Sequence, residues 1–355
     1  MPRVPGFACA AALVLAAASA DAQWLKQKTA GIPRTADGKP NLTAPAPRTH
    51  EGKPDLSGLW RYVSDPYSNV TADLKPEDMK PSVVELYKQR VEDLQKDDPS
   101  TFRCLPSGPR TLFAPAGYVR VIQTPTMIAM LYEDLIYRVV FMDGRELPKD
   151  PNPSYMGYSV GRWDGDTLVI DSLGFNDATW LDFVGHPHTE ALRMTERIKR
   201  GSFGRMDVEV RIDDPTLYTH AWTVPVHAEI VADTDSLEYV CNENQKDTEH
   251  LVGKLSDDKK FAVKVDPKIL SAYVGSYTFV APDDPNQKTK FNVTLAGDAL
   301  SFDFGGGKDK QEMVPLSDTT FSVMGIRLDF VADKGVTSHL IFHIVEGDMK
   351  ATKDK

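Results

Sequence analysis

A long series of short runs in which apolar and polar residues alternate constrains the fold of this chain more than any other feature. The runs lie between residues 117 and 241, and turn dipeptides such as Asp143-Gly144 and Asp164-Gly165 separate them. A period of two is typical of half-buried β-strands, and consecutive strands without intervening helices predict an antiparallel barrel or sandwich. The predicted strands are Tyr118–Gln123, Met127–Tyr132, Ile136–Phe141, Tyr158–Trp163, Thr167–Ser172, Leu192–Lys199, Val208–Ile212 and Ala228–Val231.

One further strand and one helix precede this series. Asp55–Trp60 looks like an opening barrel strand, because Gly58 and Trp60 have the Gly-x-Trp spacing of lipocalin-like barrels. After it, Ser82-x-x-Glu85 predicts a capping box, and apolar residues at steps of three and four predict one helix near residues 82–96 that packs against the sheet or covers it. We therefore expect residues 55–253 to form a lipocalin-like antiparallel barrel, of a size that just encloses one small ligand.

A second, smaller β-domain is predicted over residues 262–351, after the charged stretch Lys254–Lys260. Its predicted strands are Tyr273–Tyr277, Phe291–Leu295, Ala299–Phe304, Thr320–Met324, Arg327–Val331 and His339–Ile344. The segment resembles the small β-domain that follows the catalytic domain in some penicillin-recognising serine hydrolases, through Tyr273-x-Gly275-x-Tyr277 and the Asp298–Leu300 turn. The resemblance implies an accessory domain without the chemistry of those hydrolases.

The first 22 residues are typical of a secretory signal peptide. Arg3 precedes an apolar run, and Ala20-Asp21-Ala22 forms an A-x-A cleavage site before Gln23. The run is too short to span a membrane, and no later run approaches that length. We therefore expect a protein without membrane insertion in the bacterial periplasm. The net charge of −10 argues against a nucleic-acid partner.

Removal of the signal peptide takes away Cys9 and leaves Cys104 and Cys241. In an oxidising compartment these two residues form either one disulfide or two separate buried thiols. The sequence leaves the oligomeric state open.

Residues 23–54 form a proline-rich segment in which the pattern PRTxxGKPxL begins at Pro33 and again at Pro47. So much proline predicts an extended arm over the surface. The arm is interpreted either as a plain linker or as a binding segment.

Several motif blocks in the middle of the chain resemble a large, mostly uncharacterised family of exported bacterial lipocalin-like β-proteins. The blocks are Cys104-Leu105-Pro106-Ser107-Gly108, Val121-Ile122-Gln123-Thr124, Gly157-Tyr158-Ser159-Val160-Gly161-Arg162-Trp163, Gly174-Phe175-Asn176-Asp177 to Trp180-Leu181-Asp182, Gly185-His186-Pro187-His188 to Arg197, and Cys241-Asn242-Glu243-Asn244. The resemblance implies export and a barrel, and it implies no agreed activity.

The densest group of polar residues lies between Gly174 and Glu196, in a loop longer than a hairpin requires. Long ordered loops at the end of a barrel often carry function. The group comprises Asn176, Asp177, Asp182, His186, His188 and Glu190. His186 and His188 are two residues apart and point to the same side of an extended chain, where Asp182 could complete a catalytic or metal-binding trio. Acid–base catalysis, hydrogen bonding within the loop and metal ligation all remain open for the two histidines; ligation requires a distant third histidine, such as His220, His227 or His250.

Glu196 is the second candidate, because it shares the apolar face of its strand with Leu192, Met194 and Ile198. An inward carboxylate is either a catalytic group with a perturbed pKa or one half of a buried ion pair. Arg138 is the predicted partner.

Aromatic residues complete the candidate site. Tyr118, Tyr137, Tyr158, Trp163 and Trp180 either line a cavity or belong to the core. We predict a substrate-binding set of Arg138, Tyr118, Tyr158, Asn176, Asp177 and Trp180 beside a catalytic set of Glu196, His186, His188 and Asp182.

The leading hypothesis is a periplasmic lyase that needs no cofactor, a decarboxylase or a C–C cleaving enzyme, acting on a small aromatic or phenolic acid. Its basis is an acid–base set without a nucleophile elbow, a phosphate loop, a dinucleotide fingerprint or a metal motif. Three alternatives remain: a lipocalin-like carrier of a small apolar ligand, a metal-assisted hydrolase, and a protein whose surface binds envelope partners. The lyase, carrier and hydrolase hypotheses expect a small molecule as the partner, and the surface-binding hypothesis expects envelope partners.

Overall fold

A computed structural model gives the structure of the protein and describes residues 28–64, 69–243, 254–280, 288–303, 310–333, 335–344 and 347–354. The predicted signal peptide, residues 1–22, lies outside these ranges. The described residues form a closed barrel, a second β-sheet and four α-helices. The protein is mainly β, as the sequence predicts.

The first sheet is a closed barrel whose nine strands follow one another in chain order. They are β1 (Gly58–Val63), β2 (Tyr118–Gln123), β3 (Met127–Tyr132), β4 (Tyr137–Phe141), β5 (Tyr158–Asp164), β6 (Thr167–Leu173), β7 (Arg193–Ser202), β8 (Arg205–Asp213) and β9 (Trp222–Ile230). β9 pairs with β1 and closes the barrel. The predicted barrel is confirmed, although β8 and β9 begin earlier than the alternation indicates.

One pair of barrel strands is parallel. Directions that alternate around a closed ring require an even number of strands, so a ring of nine needs one exception. The exception is β4 with β5, where Val140 lies opposite Ser159 and Phe141 opposite Val160. Residues 142–157 return the chain to the end of the barrel at which β4 began. The starts of β2, β4, β5, β7 and β9 therefore all lie at that end.

The alternation within each strand decides which side chains fill the barrel. Along β7, Met194, Glu196, Ile198 and Arg200 are buried and the residues between them face outward. Each large aliphatic side chain buried in this way contributes about 1.5–3 kcal/mol. Arg200 covers the Trp60 ring at 4.7 Å and closes the end of the barrel away from the start of β4. Burial lowers the pKa of Arg200 to about 10.

Two long connections cover the opposite end of the barrel. Residues 69–117 belong to the connection from β1 to β2, and residues 174–192 connect β6 to β7. We call these two segments the lid. The Trp222 indole donates a hydrogen bond of 2.8 Å to the carbonyl of Val70, which attaches the lid to the start of β9.

The predicted helix exists, with different limits and a different N-terminus. Helix α1 spans Pro81–Glu92, and its N-cap is Lys80, so the predicted capping box of Ser82 and Glu85 does not form. The helix ends before residue 96 because Leu94 and Gln95 adopt left-handed φ angles of 57° and 52°. The described residues contain three further α-helices, which were not predicted: α2 (Pro99–Phe102), α3 (Leu255–Lys260) and α4 (Pro267–Tyr273).

The proline-rich segment is not extended over its described part. Each copy of the repeat closes into a small loop, with Arg34 paired to Pro40 in the first and Arg48 to Pro54 in the second. The same two arginines then bind the barrel side, at Asp233 and Asp166. The repeat therefore forms two similar loops, each attached to the barrel by an arginine–aspartate ion pair, rather than a free arm. Exposed ion pairs of this kind each contribute about 0–1 kcal/mol.

The second sheet follows α4 and has its own apolar core. Its nine strands are β10 (Gly275–Val280), β11 (Lys288–Ala296), β12 (Ala299–Asp303), β13 (Gln311–Glu312), β14 (Val314–Pro315), β15 (Thr320–Val323), β16 (Ile326–Asp333), β17 (Val336–Ile344) and β18 (Gly347–Lys353). Their order is β13-β12-β11-β10-β18-β17-β16-β15-β14. Only Met313 separates the two edge strands along the chain, so the sheet curves until its edges are close together.

The Tyr273–Tyr277 run is not one strand, because α4 continues through Tyr273 and β10 begins at Gly275. The Tyr273 ring stacks on Phe330 at 3.9 Å, and the Tyr277 hydroxyl donates a hydrogen bond of 2.6 Å to the Tyr273 carbonyl. Both tyrosines of this motif therefore serve the core of the second sheet.

Cys104 and Cys241 form a disulfide across 137 residues of chain. It ties the lid to the segment that follows β9. Among the described residues, no helix is both long and apolar enough to cross a membrane.

Candidate functional site

A buried ion pair lies inside the barrel, in the half next to the lid. Arg138 and Glu196 are 2% and 1% exposed, and Nη2 of Arg138 donates a hydrogen bond to Oε2 of Glu196. Arg138 also donates from Nε to Ser159 at 3.0 Å and from Nη2 to Ser172 at 2.9 Å. Burial opposes the charge of Arg138, but the attraction of Glu196 outweighs it and raises the pKa of Arg138. The predicted inward position of Glu196 and its predicted partner are both observed.

Glu196 retains an unused hydrogen-bonding position. Oε1 of Glu196 is buried and has no hydrogen-bond partner among the described residues. Nη1 of Arg138 reaches the Met130 sulfur, a weak acceptor, at 4.0 Å, and Arg138 also hydrogen-bonds to the Tyr132 hydroxyl. Buried polar groups are normally satisfied, so the open acceptor on Glu196 indicates a missing partner, such as a water molecule or a polar ligand.

Two tyrosines lie close to the pair on the inner face of the barrel. Tyr62 is near the end of β1 and Tyr132 is the last residue of β3, so both are next to the lid. Burial is the main reason that the pKa of each hydroxyl is raised, and the charge of Glu196 raises it further. Both phenols are therefore neutral. Their hydroxyls are potential donors to a bound acid.

The predicted catalytic group in the loop forms a tight hydrogen-bond network within the lid. Asp182 accepts hydrogen bonds from the backbone N–H groups of Val70, Val184, Gly185 and His186, and its Oδ2 lies 2.7 Å from His186 Nδ1. Burial disfavours the charge of Asp182, but the attraction and hydrogen bonds of His186 outweigh it and lower the pKa of the carboxyl. Asp182 is thus an ionised group that holds both lid segments together.

The other nitrogen of His186 completes this network. Its Nε2 lies 2.9 Å from the Thr71 hydroxyl, and the Tyr87 ring of α1 stacks on the imidazole at 4.4 Å. An Asp–His–hydroxyl series is also the arrangement of a hydrolytic triad. Here Thr71 is only 4% exposed and bonds to Asn69 as well. We call Asp182, His186 and Thr71 the latch.

His188 does not join the latch. Its Nε2 lies 2.9 Å from the Thr179 hydroxyl, and no hydrogen bond connects it to Asp182 within the described residues. Burial lowers the pKa of His188 to about 4, so the ring is neutral at pH 7. The predicted trio of Asp182 with both histidines is therefore not observed. Asp182 pairs with His186, and Thr179 pairs with His188.

Metal ligation finds no support in the geometry. The described residues contain no group of three His, Cys, Asp or Glu side chains arranged to hold a metal ion. His250, one of the third ligands considered, lies outside the described residues.

The remaining predicted aromatic and binding residues do not point into the barrel beside the Arg138–Glu196 pair, except Trp163. Tyr118 alternates with the buried Val119, so it faces the outside of the barrel. Tyr137 is 68% exposed. Tyr158 faces outward too and, with Tyr137, lines an outer groove of about 490 Å³ between β4 and β5. Trp163 lies on the same face of β5 as Ser159, which is the face turned towards the barrel interior. Among the predicted aromatic residues, it is the one that packs against the barrel core.

Asn176, Asp177 and Trp180 lie on the lid. The Asn176 side chain accepts a hydrogen bond from the Ala178 backbone at 3.2 Å and shapes the loop. Asp177 and Trp180 line a cleft of about 360 Å³ beside α1. Arg90 covers the Trp180 ring at 4.4 Å there. Within the described residues, no hydrogen bond joins Asn176, Asp177 or Trp180 to the Arg138–Glu196 pair.

One Ser-x-x-Lys sequence does occur in the chain, from Ser256 to Lys259 in α3. Lys259 is exposed and lies 3.3 Å from Glu312, and the Ser256 N–H donates to Glu92. These contacts are not those of a serine nucleophile beside its lysine base.

Sequence reasoning missed several residues, some near the ion pair and others in the lid. Ser159 and Ser172 occupy inward positions of predicted strands, so polar residues at apolar positions could have revealed them. Tyr62 lies just beyond the predicted first strand. Thr71 and Tyr87 carry no local signal, since only the tertiary fold brings them to His186.

No protein-family model matches the chain, and no curated protein matches it either.

Proposed function

We propose that the first barrel binds a small aromatic acid at the Arg138–Glu196 pair and acts on it as a lyase that requires no cofactor. The supporting observation is that Oε1 of Glu196, in this buried pair, has no hydrogen-bond partner among the described residues and lies in the half of the barrel covered by the lid. In this proposal Tyr62 and Tyr132 replace Tyr118 and Tyr158 as the aromatic residues that contact the substrate, because the latter two face outward.

The roles follow from the chemistry of each group. Nη1 of Arg138 would hold the substrate carboxylate, since guanidinium N–H groups match carboxylate oxygens. In a decarboxylation the bond to the carboxylate breaks, CO2 leaves, and the electron pair left on carbon takes up a proton. Glu196 would pass a proton taken up from water to that carbon and return to the carboxylate that pairs with Arg138. The reaction needs no oxidant or reductant.

The latch gives His186 and Asp182 a positioning role in this scheme. They hold the lid over the barrel, and a closed lid keeps water away from the reacting carbon. His188 supports the same lid through Thr179. We propose that these residues act on the lid and do not touch the substrate.

The proposal includes export to the bacterial periplasm and membership of the exported lipocalin-like family. The predicted signal peptide would direct the chain there, and a disulfide is stable in that compartment. The motif blocks support the family proposal by their positions, since they fall on the lid, on β5 and β7 beside the ion pair, and at both cysteines.

The test begins with mature protein, residues 23 to 355, screened by thermal shift against small aromatic acids, with product analysis of every acid that stabilises it. Glu196→Gln removes the acid and keeps a side chain of the same shape, so the rate should fall by at least about 100-fold. Glu209→Gln is the matched control, because Glu209 faces solvent on the neighbouring β8.

Tyr132→Phe gives a second variant that keeps the ring and removes only the hydroxyl, which contacts the Met130 sulfur at 3.6 Å and Arg138. Its affinity for the acid should fall while Trp fluorescence stays native. Unchanged turnover in Glu196→Gln would contradict the assigned proton transfer. Unchanged affinity in Tyr132→Phe would contradict the position of the site.

A carrier of a small organic ligand is the second candidate function. The observation in its favour is that Glu196 already bonds to Arg138, which occupies one oxygen of the only acid assigned to proton transfer. A carrier would bind one molecule per barrel and release it unchanged. Product analysis therefore distinguishes the two functions at the same site.

A further inference from the structure

A cavity of about 210 Å³ lies beside the disulfide, outside the barrel core. One wall is the lid segment from Ser100 to Ala116, and another is the β3–β4 turn with Asp134 and Ile136. Tyr239 and Cys241 form a third wall after β9. The three walls belong to distant parts of the chain, and the disulfide joins two of them.

A buried arginine lines this cavity with one nitrogen unused. Nη1 of Arg110 donates to Asp98 at 3.0 Å and Nη2 donates to Ser100, while the guanidinium covers the Phe183 ring at 4.3 Å. The Arg110 side chain is 3% exposed, yet its Nε has no acceptor among the described residues. An unsatisfied buried N–H is costly and rare, so this donor points to a missing acceptor.

Asp134 supplies an open acceptor in the same cavity. Its Oδ1 is buried and has no hydrogen-bond partner in the described part of the chain. Burial raises the pKa of this carboxyl. Asp98 already balances the charge of Arg110, so an anionic ligand would meet the uncompensated charge of Asp134. A neutral ligand avoids that repulsion.

We propose that this cavity is a second binding site, for a small neutral molecule with an apolar body and a hydroxyl or amide group. The hydroxyl or amide would accept from Arg110 Nε and donate to Asp134 Oδ1. Ala114, Ile136 and Phe183 would contact the apolar body. The site is independent of the proposed lyase reaction.

The disulfide makes this site sensitive to reduction. Cys104 and Cys241 both line the cavity, and their bond holds the lid wall against the wall after β9. Two-electron reduction, with uptake of two protons, would free the walls to separate. Affinity for the ligand should then fall while the barrel remains folded.

4-Fluorophenol is a suitable probe, because it is neutral at pH 7, carries one hydroxyl and reports binding through its fluorine NMR signal. Ala116→Leu should abolish binding by filling the cavity from its exposed edge. Asp134→Asn should weaken binding about fivefold, since it replaces a charged acceptor by a neutral one. Ala191→Leu is the matched control, because Ala191 is exposed and does not line the cavity.

Binding to the wild type that survives in Glu196→Gln and Ala191→Leu and disappears in Ala116→Leu supports the site. Loss of binding in Glu196→Gln would place the probe in the barrel and overturn the proposal. Full affinity in both Ala116→Leu and Asp134→Asn would overturn it as well. Dithiothreitol should weaken binding to the wild type, and unchanged affinity after reduction would contradict the role of the disulfide.

Discussion

Breaking the ion pair inside the barrel should cost far more than replacing both of its members. In Glu196→Leu the guanidinium of Arg138 stays buried without its counter-charge, and in Arg138→Met the carboxylate of Glu196 does. Loss of one partner of a buried pair costs about 3–5 kcal/mol. In the double variant no charge remains, and Ser159 and Ser172 still bond to each other at 2.9 Å. Apolar replacement of a whole buried pair is often neutral or stabilising by about 1–4 kcal/mol.

The two residues should therefore show a coupling free energy of at least about 4 kcal/mol in a double-mutant cycle. Urea unfolding followed by Trp fluorescence measures it for the first barrel alone. All five tryptophans lie before residue 223, at 24, 60, 163, 180 and 222, so the second sheet does not contribute to the signal. The midpoint and slope of each transition give the free energy of unfolding.

Additive effects would refute this reasoning. If the double variant lost the sum of the two single losses, the carboxylate and the guanidinium would not be stabilising each other. Glu209→Leu provides the control for adding leucine to a strand, since Glu209 faces solvent on β8. Its effect should stay within about 0.5 kcal/mol.

Three further predictions concern the lid. The pKa of His188 is near 6.5 in the unfolded chain and about 4 in the folded protein, so its contribution to stability is complete above pH 6.5 and falls by roughly 3 kcal/mol as the pH drops to 4. In His188→Gln, the free energy of unfolding measured by urea titration should depend less on pH. An unchanged pH dependence would argue against a buried neutral ring. Asp182→Ala removes the acceptor of four backbone N–H groups and should destabilise the barrel by about 3 kcal/mol or more. Backbone hydrogen exchange at residues 184–186 should become faster. Exchange rates there that match the wild type would disprove the latch. Reduction of the Cys104–Cys241 bond, which closes 137 residues, should cost up to about 5 kcal/mol, and an unchanged urea midpoint would contradict this.

The barrel was predictable because its strands are half-buried. Each strand exposes one face, so apolar and polar residues alternate in the sequence with a period of two. Along β7 this alternation correctly predicts that Glu196 faces inward. The same parity rule could have shown that Tyr118 and Tyr158 face outward, opposite to Val119 and Ser159. That error came from grouping residues by type without following their strand positions.

The lid was much harder to predict. Lys80 rather than Ser82 is the N-cap of α1, because Pro81 suits the first turn of a helix and local propensity outweighed the capping-box pattern. The latch joins Thr71 to His186 across 115 residues, and no periodic pattern signals such a contact. The repeated PRTxxGKPxL pattern was visible, but its conformation depends on Asp166 and Asp233, which lie far away in the chain.

The most direct test of the proposed function follows a carboxyl-labelled aromatic acid that stabilises the protein, by measuring labelled CO2 per molecule of protein. The account predicts many turnovers for the wild type and for Glu209→Gln, and at least about 100-fold less label released by Glu196→Gln. Stoichiometric binding without labelled CO2, or equal release by Glu196→Gln, would contradict it.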